Sequence, residues 1–403
     1  MTIHTGMFPP GPSQEKRKLG DWREVQLGEI VKSNYQNIGS DYPYTIIQYL
    51  DTGSITEGKI ECFQQYTISE APSRAKRLVK EGDIVYSNVR PIQRHYGFIK
   101  NPPDNLVVST GFSVIKTDQS KADPLFIYYL LTSNNIVEEL DTIAEGATSA
   151  YPSLRPSDIE NLEILLPSLP EQKAIAEVLS SLDDKIDLLH RQNKTLEDMA
   201  QVLFRKWFME EAEEEWKEKP LDEIADYLNG LACQKYPPKN KIDKLPVLKI
   251  KELGNGFTEN SDWATSEVAD KYIIELGDVI FSWSGSLMLK IWNGKKCVLN
   301  QHLFKVTSEN YSKWFYYFWT KHHLEKFIAI ADSKATTMGH IKRTDLSNSM
   351  VLIPPEEDLQ KMNSEIKPIL YKIILNYFQI HTLENLRDIL LPKLMSGKVR
   401  VKF

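Results

Sequence analysis

The sequence predicts an α+β protein in which two α/β domains are separated by an antiparallel two-helix coiled coil, with an internal pseudo-twofold repeat. Three observations predict this fold class. Short segments recur in the same order along the chain, each copy mixes strand-like and helix-like patterns, and each copy ends in a heptad pattern of apolar residues. The length of 403 residues is sufficient for several domains.

The repeat consists of pairs of matching segments. LVKEGDIVYSNVR (78–90) matches YIIELGDVIFSWSG (272–285), and RPSDIENLEILLP (155–167) matches KRTDLSNSMVLIP (342–354). Further pairs begin at Gly20 and Glu214, at Phe126 and Trp314, and at Asn193 and Ile380. Since the order is kept and the offset stays at about 190 residues, the chain is two copies of one unit.

The globular part of each copy has strand and helix signals. VVSTGFSVIK, which ends at Lys116, and CVLNQHLFKV, which ends at Val306, each alternate like one half-buried strand. GDIVYS and GDVIFS indicate a Gly-Asp turn that leads into a strand. FIYYLL and WFYYFW are typical of the start of amphipathic helices whose aromatic rings pack in a core.

The helical part of each copy carries apolar residues at alternating spacings of four and three. The first series is Ile175, Leu179, Leu182, Ile186, Leu189, Leu196, Leu203 and Trp207. The second is Met362, Ile366, Ile369, Ile373, Ile380, Leu383, Leu390 and Leu394, with Arg387 in one seam position. Prolines precede both series, as at helix starts. Pro368 lies inside the second series and should kink that helix or mark its true start.

Asn193 and Asn376 interrupt the two apolar series near the middle of each helix. They occupy different heptad positions, d in the first helix and a in the second. An antiparallel pair of helices brings a and d positions opposite each other, so we expect the two amides to meet. A buried Asn pair would penalise slipped registers of the coiled coil.

Composition limits the class of protein. The three cysteines, Cys62, Cys233 and Cys297, form no CxxC pair, so a disulfide framework or a zinc site is not expected. No apolar run has the length of a membrane span, and residues 1–19 lack the apolar core of a signal peptide. The net charge is −6, but basic residues cluster between Arg74 and Lys100 and between Lys235 and Lys251. These clusters indicate that two local basic surfaces are compatible with the acidic net charge.

The first long helix carries a family resemblance. LPSLPEQKAIAEVLSSLDDKIDLLHRQNKTLEDMAQVLFRKWF (166–208) resembles the helical region of type I restriction-modification specificity subunits. GDIVYSNVR and GDVIFSWSG resemble a strand of that family's target-recognition domains, and the resemblance covers essentially the whole chain after residue 20. The second helix departs from the family pattern, because PPEEDLQ replaces its PEQ start.

The resemblance implies a division of the chain and a function. The expected division is a flexible arm (1–19), target-recognition domain 1 (20–166), a first coiled-coil helix (167–208), target-recognition domain 2 (209–353), and a second coiled-coil helix with the C-terminal tail (354–403). Each domain would read one half of an asymmetric bipartite site on double-stranded DNA, and the coiled coil would set the gap. Two methyltransferase subunits and restriction subunits are the implied partners.

The cysteine pattern indicates a reduced, cytoplasmic protein, and the histidines lack the spacing of metal ligands. The family resemblance implies a non-catalytic subunit that holds no cofactor of its own. S-adenosylmethionine, ATP and Mg would be bound by the partner subunits. One alternative is a diverged methyltransferase or nuclease that acts alone, and another is a coiled-coil scaffold unrelated to DNA. NPPD (101–104) is similar to a methyltransferase loop but lacks the aromatic residue that stacks on a flipped base. EGK (57–59) has the spacing of a nuclease carboxylate-lysine pair without evident partners.

DNA readout requires paired donors and acceptors for base edges and cations for phosphates. We expect these in the loop after each GD strand and in the loop before each of the segments that begin at Arg155 and Lys342. The candidates in the first domain are Ser87, Asn88, Arg90, Gln93, Arg94, His95, Tyr96, Thr148, Ser149 and Tyr151. Those in the second domain are Ser282, Trp283, Ser284, Ser286, Lys290, Lys334, Thr336, Thr337 and His340.

Overall fold

A computed structural model of the chain describes residues 22–146, 152–333 and 339–402. The chain divides into two compact units, Met1–Asp184 with Glu384–Phe403, and Lys185–Leu383. The predicted arm at residues 1–19 lies outside the described residues.

The first globular domain is built from short strands and three short helices, and a long helix follows it. The strands are β1 (Arg23–Gln26), β2 (Val31–Ser33), β3 (Ile46–Leu50), β4 (Ile55–Thr56), β5 (Lys59–Ile60), β6 (Gln64–Thr67), β7 (Ala75–Leu78), β8 (Ile84–Ser87), β9 (Tyr96–Phe98), β10 (Leu106–Ser109), β11 (Phe112–Thr117) and β12 (Glu163–Leu166). The helices are α1 (Pro124–Leu131), α2 (Asn134–Glu145), α3 (Pro156–Glu160) and the long α4 (Leu169–Arg205).

The second globular domain has a closely similar series. Its strands are β13 (Lys217–Pro220), β14 (Asp226–Asn229), β15 (Lys244–Leu248), β16 (Trp263–Thr265), β17 (Ile273–Ile274), β18 (Val279–Ser282), β19 (Leu289–Ile291), β20 (Cys297–Leu299), β21 (Leu303–Thr307) and β22 (Met350–Ile353). Its helices are α5 (Leu221–Ile224), α6 (Ile250–Asn255), α7 (Lys313–His322), α8 (Leu324–Ser333), α9 (Arg343–Ser347) and the long α10 (Glu356–Met395).

The two domains share one sheet topology, which is the repeat seen in the sequence. In the first domain the four-stranded sheets have the orders β6-β3-β10-β7 and β2-β11-β8-β9. In the second domain the orders are β16-β15-β20-β17 and β14-β21-β18-β19. The parallel pair β3 with β10 has its counterpart in β15 with β20. The first and last strands of each domain also pair, β1 with β12 and β13 with β22, both antiparallel.

Two predicted strands are wrong in the same way. VVSTGFSVIK is not one strand, because the chain leaves β10 at Ser109, turns at Thr110 and Gly111, and enters β11 in the other sheet. CVLNQHLFKV likewise divides into β20 and β21. Almost every residue of these strands is buried, so no alternation of exposed residues marks the point where the chain changes sheets.

The Gly-Asp turns are confirmed. Gly82 and Gly277 have φ angles of 83° and 91°, a conformation that glycine adopts without steric cost. The following aspartates close the turns, since Asp83 accepts a hydrogen bond from the Lys80 backbone N–H at 2.7 Å. Asp278 accepts one from the Glu275 backbone N–H at 2.9 Å. Each turn leads directly into a fully buried strand, β8 or β18.

The aromatic segments form helices α1 and α7, as predicted. Asp123 caps α1 by accepting hydrogen bonds from the backbone N–H groups of Leu125 and Phe126. The rings of α7 are buried from Trp314 to Trp319. Their role is therefore packing of the domain core, which is what such aromatic runs contribute most often.

The long helices pack antiparallel within each unit. In the second unit Ile186 and Leu189 of α4 contact Ile380 of α10. In the first unit Ile175 and Leu179 share a core with Leu394. The seam residue Arg387 donates a hydrogen bond to Asp183 at 3.0 Å, which satisfies its charge in a half-buried position. Since α10 runs from Glu356 without a break at Pro368, the alternative that Pro368 marks the helix start is wrong.

The two seam asparagines meet, as the heptad positions predict. Asn376 Nδ2 donates to Asn193 Oδ1 at 2.8 Å and to Gln192 Oε1 at 2.9 Å. Asn193 Nδ2 in turn donates to the Ile373 carbonyl at 3.3 Å. Both asparagines are buried. Their role in fixing the register of the helices remains a prediction.

Removing one of the two seam amides should cost more stability than removing both. Asn376→Leu leaves the buried Asn193 Oδ1 without its donor, and we expect the free energy of unfolding to fall by about 1–3 kcal/mol. Asn193→Leu with Asn376→Leu should recover much of that loss, because hydrocarbon replaces both polar groups. Urea denaturation measures both changes, with Lys194→Leu on the exposed face of α4 as the control. Strictly additive losses would contradict the pairing.

His323 predicts a dependence of stability on acid pH. Its Nε2–H donates to the Met350 carbonyl at 2.9 Å, and burial lowers the pKa of His323 from 6.5 to about 4. Between these values the unfolded chain binds more protons than the folded chain, so stability should fall as pH drops from 6.5 toward 4. His323→Asn should flatten this part of the stability-pH curve, and His381→Asn is the control for loss of an imidazole. An unchanged curve for His323→Asn would contradict the assignment.

Candidate nucleic-acid interface

The candidate site in each domain lies where the strand after the Gly-Asp turn ends. In the first domain Val89, just after β8, forms an antiparallel bridge with Ser153, and the Leu154 N–H donates to the Asn88 carbonyl at 2.7 Å. In the second domain Ser284 bridges His340 in the same way. The structure therefore brings the loop after the strand next to the described residues just before α3 or α9.

Thr148, Ser149 and Tyr151 of the first domain, and Lys334, Thr336 and Thr337 of the second, lie outside the described residues.

Ser87 and Ser282 are predicted DNA contacts, but both side chains are buried and shape the loop. Ser87 Oγ donates to the Val89 carbonyl at 3.1 Å, and Ser282 Oγ donates to the carbonyls of Ser284 and Ser286 at 3.1 and 2.9 Å. The two serines occupy equivalent positions, at the last residue of β8 and of β18.

Two further predicted contacts, Tyr96 and Ser284, are buried in the same way. Tyr96 is buried and stacks on Tyr86 with ring centroids 5.5 Å apart. Ser284 is buried, and its Oγ lies 3.1 Å from His302 Nδ1. The residue types fit DNA contacts, but their side chains point into the domain.

Arg90 and Gln93 are exposed at the tip of the first-domain loop. A turn of 3-10 helix (Pro91–Gln93) lies between Arg90 and Arg94, which have φ angles of 47° and 59°. Left-handed backbone is costly for residues other than glycine and persists where the surroundings fix it. Here the fixing contacts include the Ile92 N–H, which donates to Asp141 Oδ1 at 3.1 Å. The loop therefore holds the Arg90 and Gln93 side chains outward on a fixed backbone.

The remaining first-domain candidates already have partners within the domain. Arg94 Nη2 donates to Asn134 Oδ1 at 2.9 Å, and Arg94 Nε lies 3.6 Å from Glu57 Oε1. His95 Nδ1 lies 2.7 Å from the Ile55 carbonyl. Asn88 Oδ1 accepts a hydrogen bond from Ser113 Oγ at 2.6 Å. These contacts reduce what the three side chains can offer to a ligand.

The second-domain site is aromatic at the equivalent position. Trp283 Nε1 donates to Asn229 Oδ1 at 3.0 Å. The Trp283 ring lies 5.7 Å from the ring of Phe304, 5.9 Å from His302 and 6.4 Å from His340. Ser286 is exposed beside this group. The half-buried indole and imidazoles thus form a platform at the end of β18.

Lys290 is a predicted DNA contact, and its ammonium group already has partners within the domain. Its Nζ donates to the carbonyls of Leu253 at 2.8 Å and Gly254 at 3.1 Å, in the last turn of α6. Burial also lowers the pKa of Lys290 from its usual value. The ammonium group therefore stabilises the end of α6, which reduces what Lys290 can offer to DNA.

The two basic clusters are partly neutralised. Lys239 and Lys249 form ion pairs with Glu267 and Asp262, and Lys244 lies over the Trp263 ring at 4.1 Å. Exposed cations that remain include Arg74, Lys76 and Lys80 in the first domain and Lys235, Lys241 and Lys251 in the second. Each domain therefore keeps exposed positive charge outside its loop site.

Among the described residues no cluster of histidine, cysteine and acidic side chains could hold a metal ion. In that same part of the chain, no helix has both the length and the hydropathy of a membrane span. The three cysteines are free, Cys62 exposed and the other two buried.

The structure contains two copies of one domain, each with a loop site at the end of the strand that follows the Gly-Asp turn. A family model described as the type I restriction modification DNA specificity domain matches residues 14–198 and again residues 213–385. The chain belongs to this family and carries its domain twice. The predicted family and its duplication are confirmed.

Individual relatives agree with this assignment. The chain is 23% identical to the specificity subunit of the type I restriction enzyme HindI of Haemophilus influenzae, over 94% of this chain and 100% of the relative. It is 30% identical to the MjaIX specificity subunit of Methanocaldococcus jannaschii, over 81% of this chain and 79% of the relative. The crystal structure of a type I S subunit from M. genitalium has the same fold, with a TM-score of 0.55 and 16% identity over 93% of this chain and 96% of that one. The predicted fold class and the predicted function of a DNA-specificity subunit are confirmed.

Sequence reasoning missed three polar residues beside Trp283. Asn229, Gln301 and His302 lie at this site, and the last two were hidden inside the segment interpreted as a single strand. The signal that marks them is the run of polar residues Asn300, Gln301 and His302 between two apolar runs, which is the pattern of a short connection.

Proposed function

We propose that the chain is the recognition and scaffolding subunit of a type I restriction-modification complex, reads a bipartite asymmetric site on double-stranded DNA, and catalyses no reaction itself. One observation supports the asymmetry of the proposed DNA site. The loops of the two domains share a main-chain hydrogen bond but carry different side chains at that position. The Arg90 N–H donates to the Pro152 carbonyl in the first domain, and the Gly285 N–H donates to the Gly339 carbonyl at the equivalent position of the second. Equal frames with unequal side chains are suited to two different half-sites.

The proposed contacts are the exposed side chains of the two loop sites. In the first domain Arg90 and Gln93 offer a guanidinium and an amide at the loop tip, and Arg94, His95 and Asn88 flank them. In the second domain Trp283, Ser286 and His340 present an aromatic and polar surface. Arginine and amide groups read base edges by paired hydrogen bonds, and arginine also neutralises phosphate.

Catalysis is assigned to partner subunits. Two methyltransferase subunits would bind S-adenosylmethionine, and restriction subunits would use ATP and Mg, all in the cytoplasm. Glu57, the carboxylate of the EGK segment, has a structural role instead of a nuclease role. Its Oε1 lies 3.6 Å from Arg94 Nε, and the residue stands in the tight turn between β4 and β5. The runner-up, a methyltransferase or nuclease that acts alone, predicts DNA methylation or cleavage by the purified chain with S-adenosylmethionine or Mg.

The proposed domain boundaries follow the closure of each domain by its end strands. Pairing of β1 with β12 supports a first domain at 20–166, and pairing of β13 with β22 supports a second at 209–353. The helical segments 167–208 and 354–403 contain α4 and α10.

Salt dependence tests the role of Arg90. If its exposed guanidinium contacts phosphate in the assembled complex, Arg90→Ala should weaken binding to duplex DNA and reduce the slope of log K against log salt by about one. Fluorescence anisotropy at several salt concentrations measures both quantities. Arg23→Ala, an exposed arginine on β1, is the matched control. An unchanged affinity and slope for Arg90→Ala would remove Arg90 from the interface.

Exchange of one domain tests the whole proposal. Replacement of residues 20–162 by the first domain of another family member should change one half-site and leave the other unaltered, because each domain has its own core. Methylome sequencing of a host that carries the hybrid with its methyltransferase subunit gives both half-sites. A change in both half-sites, or in neither, would contradict the separate reading of two half-sites. Methylation or cleavage by the chain alone would favour the runner-up.

A further inference from the structure

The connection between β20 and β21 places Gln301 and His302 at the second-domain site. These residues lie where the chain crosses from one sheet to the other. Their backbone is fixed from both sides: the Gln301 N–H donates to the Leu231 carbonyl at 2.8 Å, and the Asn300 N–H donates to the Leu248 carbonyl at 3.1 Å. The approach is so close that a Cβ atom at Gly230 would lie 2.3 Å from the Asn300 carbonyl oxygen. The backbone of this connection is therefore fixed, and it holds its side chains in defined positions.

His302 links Gln301 to the loop after β18. His302 Nε2 lies 3.3 Å from Gln301 Nε2, and His302 Nδ1 lies 3.1 Å from Ser284 Oγ. The amide nitrogen of glutamine only donates, so His302 Nε2 accepts and the ring hydrogen resides on Nδ1, which donates to Ser284. The imidazole also packs against Trp283 at 5.9 Å. These contacts fix both the ring and the amide plane of Gln301.

The Gln301 amide keeps an unused donor and acceptor. Within the described part of the chain, Oε1 and the second hydrogen of Nε2 form no hydrogen bond, and the side chain is only partly buried. An acceptor and a donor side by side match the N6 amino group and N7 of adenine in the major groove. Glutamine is one of the two residues that form this bidentate pair.

We propose that Gln301 is a specificity-determining residue of the second domain, that it reads an adenine in the half-site of that domain, and that His302 positions it. The assignment rests on the proposed function. The equivalent connection of the first domain is Thr110 and Gly111, which carries no amide side chain. The contact therefore belongs to one half-site alone.

Selection of bound sequences from DNA with randomised half-sites tests the proposal, with the chain assembled with its methyltransferase subunits. Gln301→Leu should lower the preference for adenine at one base pair of the second half-site by at least about fivefold, the lower limit for loss of a bidentate pair. The first half-site should stay the same. Gln65→Leu, an exposed glutamine on β6, is the matched control. A Gln301→Leu complex that keeps every base preference overturns the proposal.

A second variant gives a positive test that does not depend on the folding of the first. Gln301→Glu keeps the shape of the side chain but only accepts hydrogen bonds, so the preference at the same base pair should move from adenine toward cytosine, whose N4 amino group donates. Retained adenine preference in Gln301→Glu overturns the assignment.

The positioning role of His302 has its own readout. His302→Phe keeps the ring against Trp283 and removes both nitrogens. It should therefore lower the preference for adenine at the same base pair as Gln301→Leu does. The double variant should lose no more adenine preference than Gln301→Leu alone, because the two side chains act as a unit. Relaxation at a different base pair would overturn the role of His302. A wild-type complex without base preference in either half-site would overturn the proposed function itself, which is a different result from loss of one contact.

Discussion

Pairing of the first strand with the last is the constraint on which each globular domain depends. β1 pairs with β12 and β13 with β22, so the two ends of each domain lie side by side. α4 begins three residues after the end of β12 and α10 begins three residues after the end of β22, which leaves almost no free chain between domain and helix. The direction of each long helix is therefore fixed by a strand pair. The core on either side of that strand pair is continuous with the apolar face of the helix, as in the cluster that joins Ile164, Ile175 and Leu394.

The loop sites depend on the point in each domain where the chain crosses from one sheet to the other. In both domains a buried strand passes from one four-stranded sheet to the other, β10 to β11 and β20 to β21, next to the end of the strand that follows the Gly-Asp turn. Three chain segments therefore converge in each domain: the sheet crossing, the loop after the Gly-Asp strand, and the segment before the short helix α3 or α9. In the first domain Ser113 and Asn88 join two of these segments by a hydrogen bond, and in the second Phe304 and Trp283 do so by stacking.

The parts of this structure that local chemistry determines were predictable from the sequence. The Gly-Asp turns, the aromatic helices, the antiparallel seam and the meeting of Asn193 with Asn376 all follow from spacing and residue type. The parts that depend on tertiary burial were not. Ser87, Ser282 and Tyr96 have polar groups suited to DNA contact, yet the domain core encloses them. Lys290 is basic, but carbonyls at the end of α6 occupy its ammonium group. The sheet crossings were hidden because strands buried on both faces show no alternation.

The frame of each loop site is held largely by main-chain atoms. The bond from the Arg90 N–H to the Pro152 carbonyl, and its counterpart from Gly285 to Gly339, require no particular side chain. Point substitutions at the loop tips can therefore accumulate without loss of the fold, as long as the buried serines and the close approach at Gly230 are kept. Such a scaffold is evolvable by single mutations, because side chains at the loop tips can change one at a time while the main-chain frame stays the same.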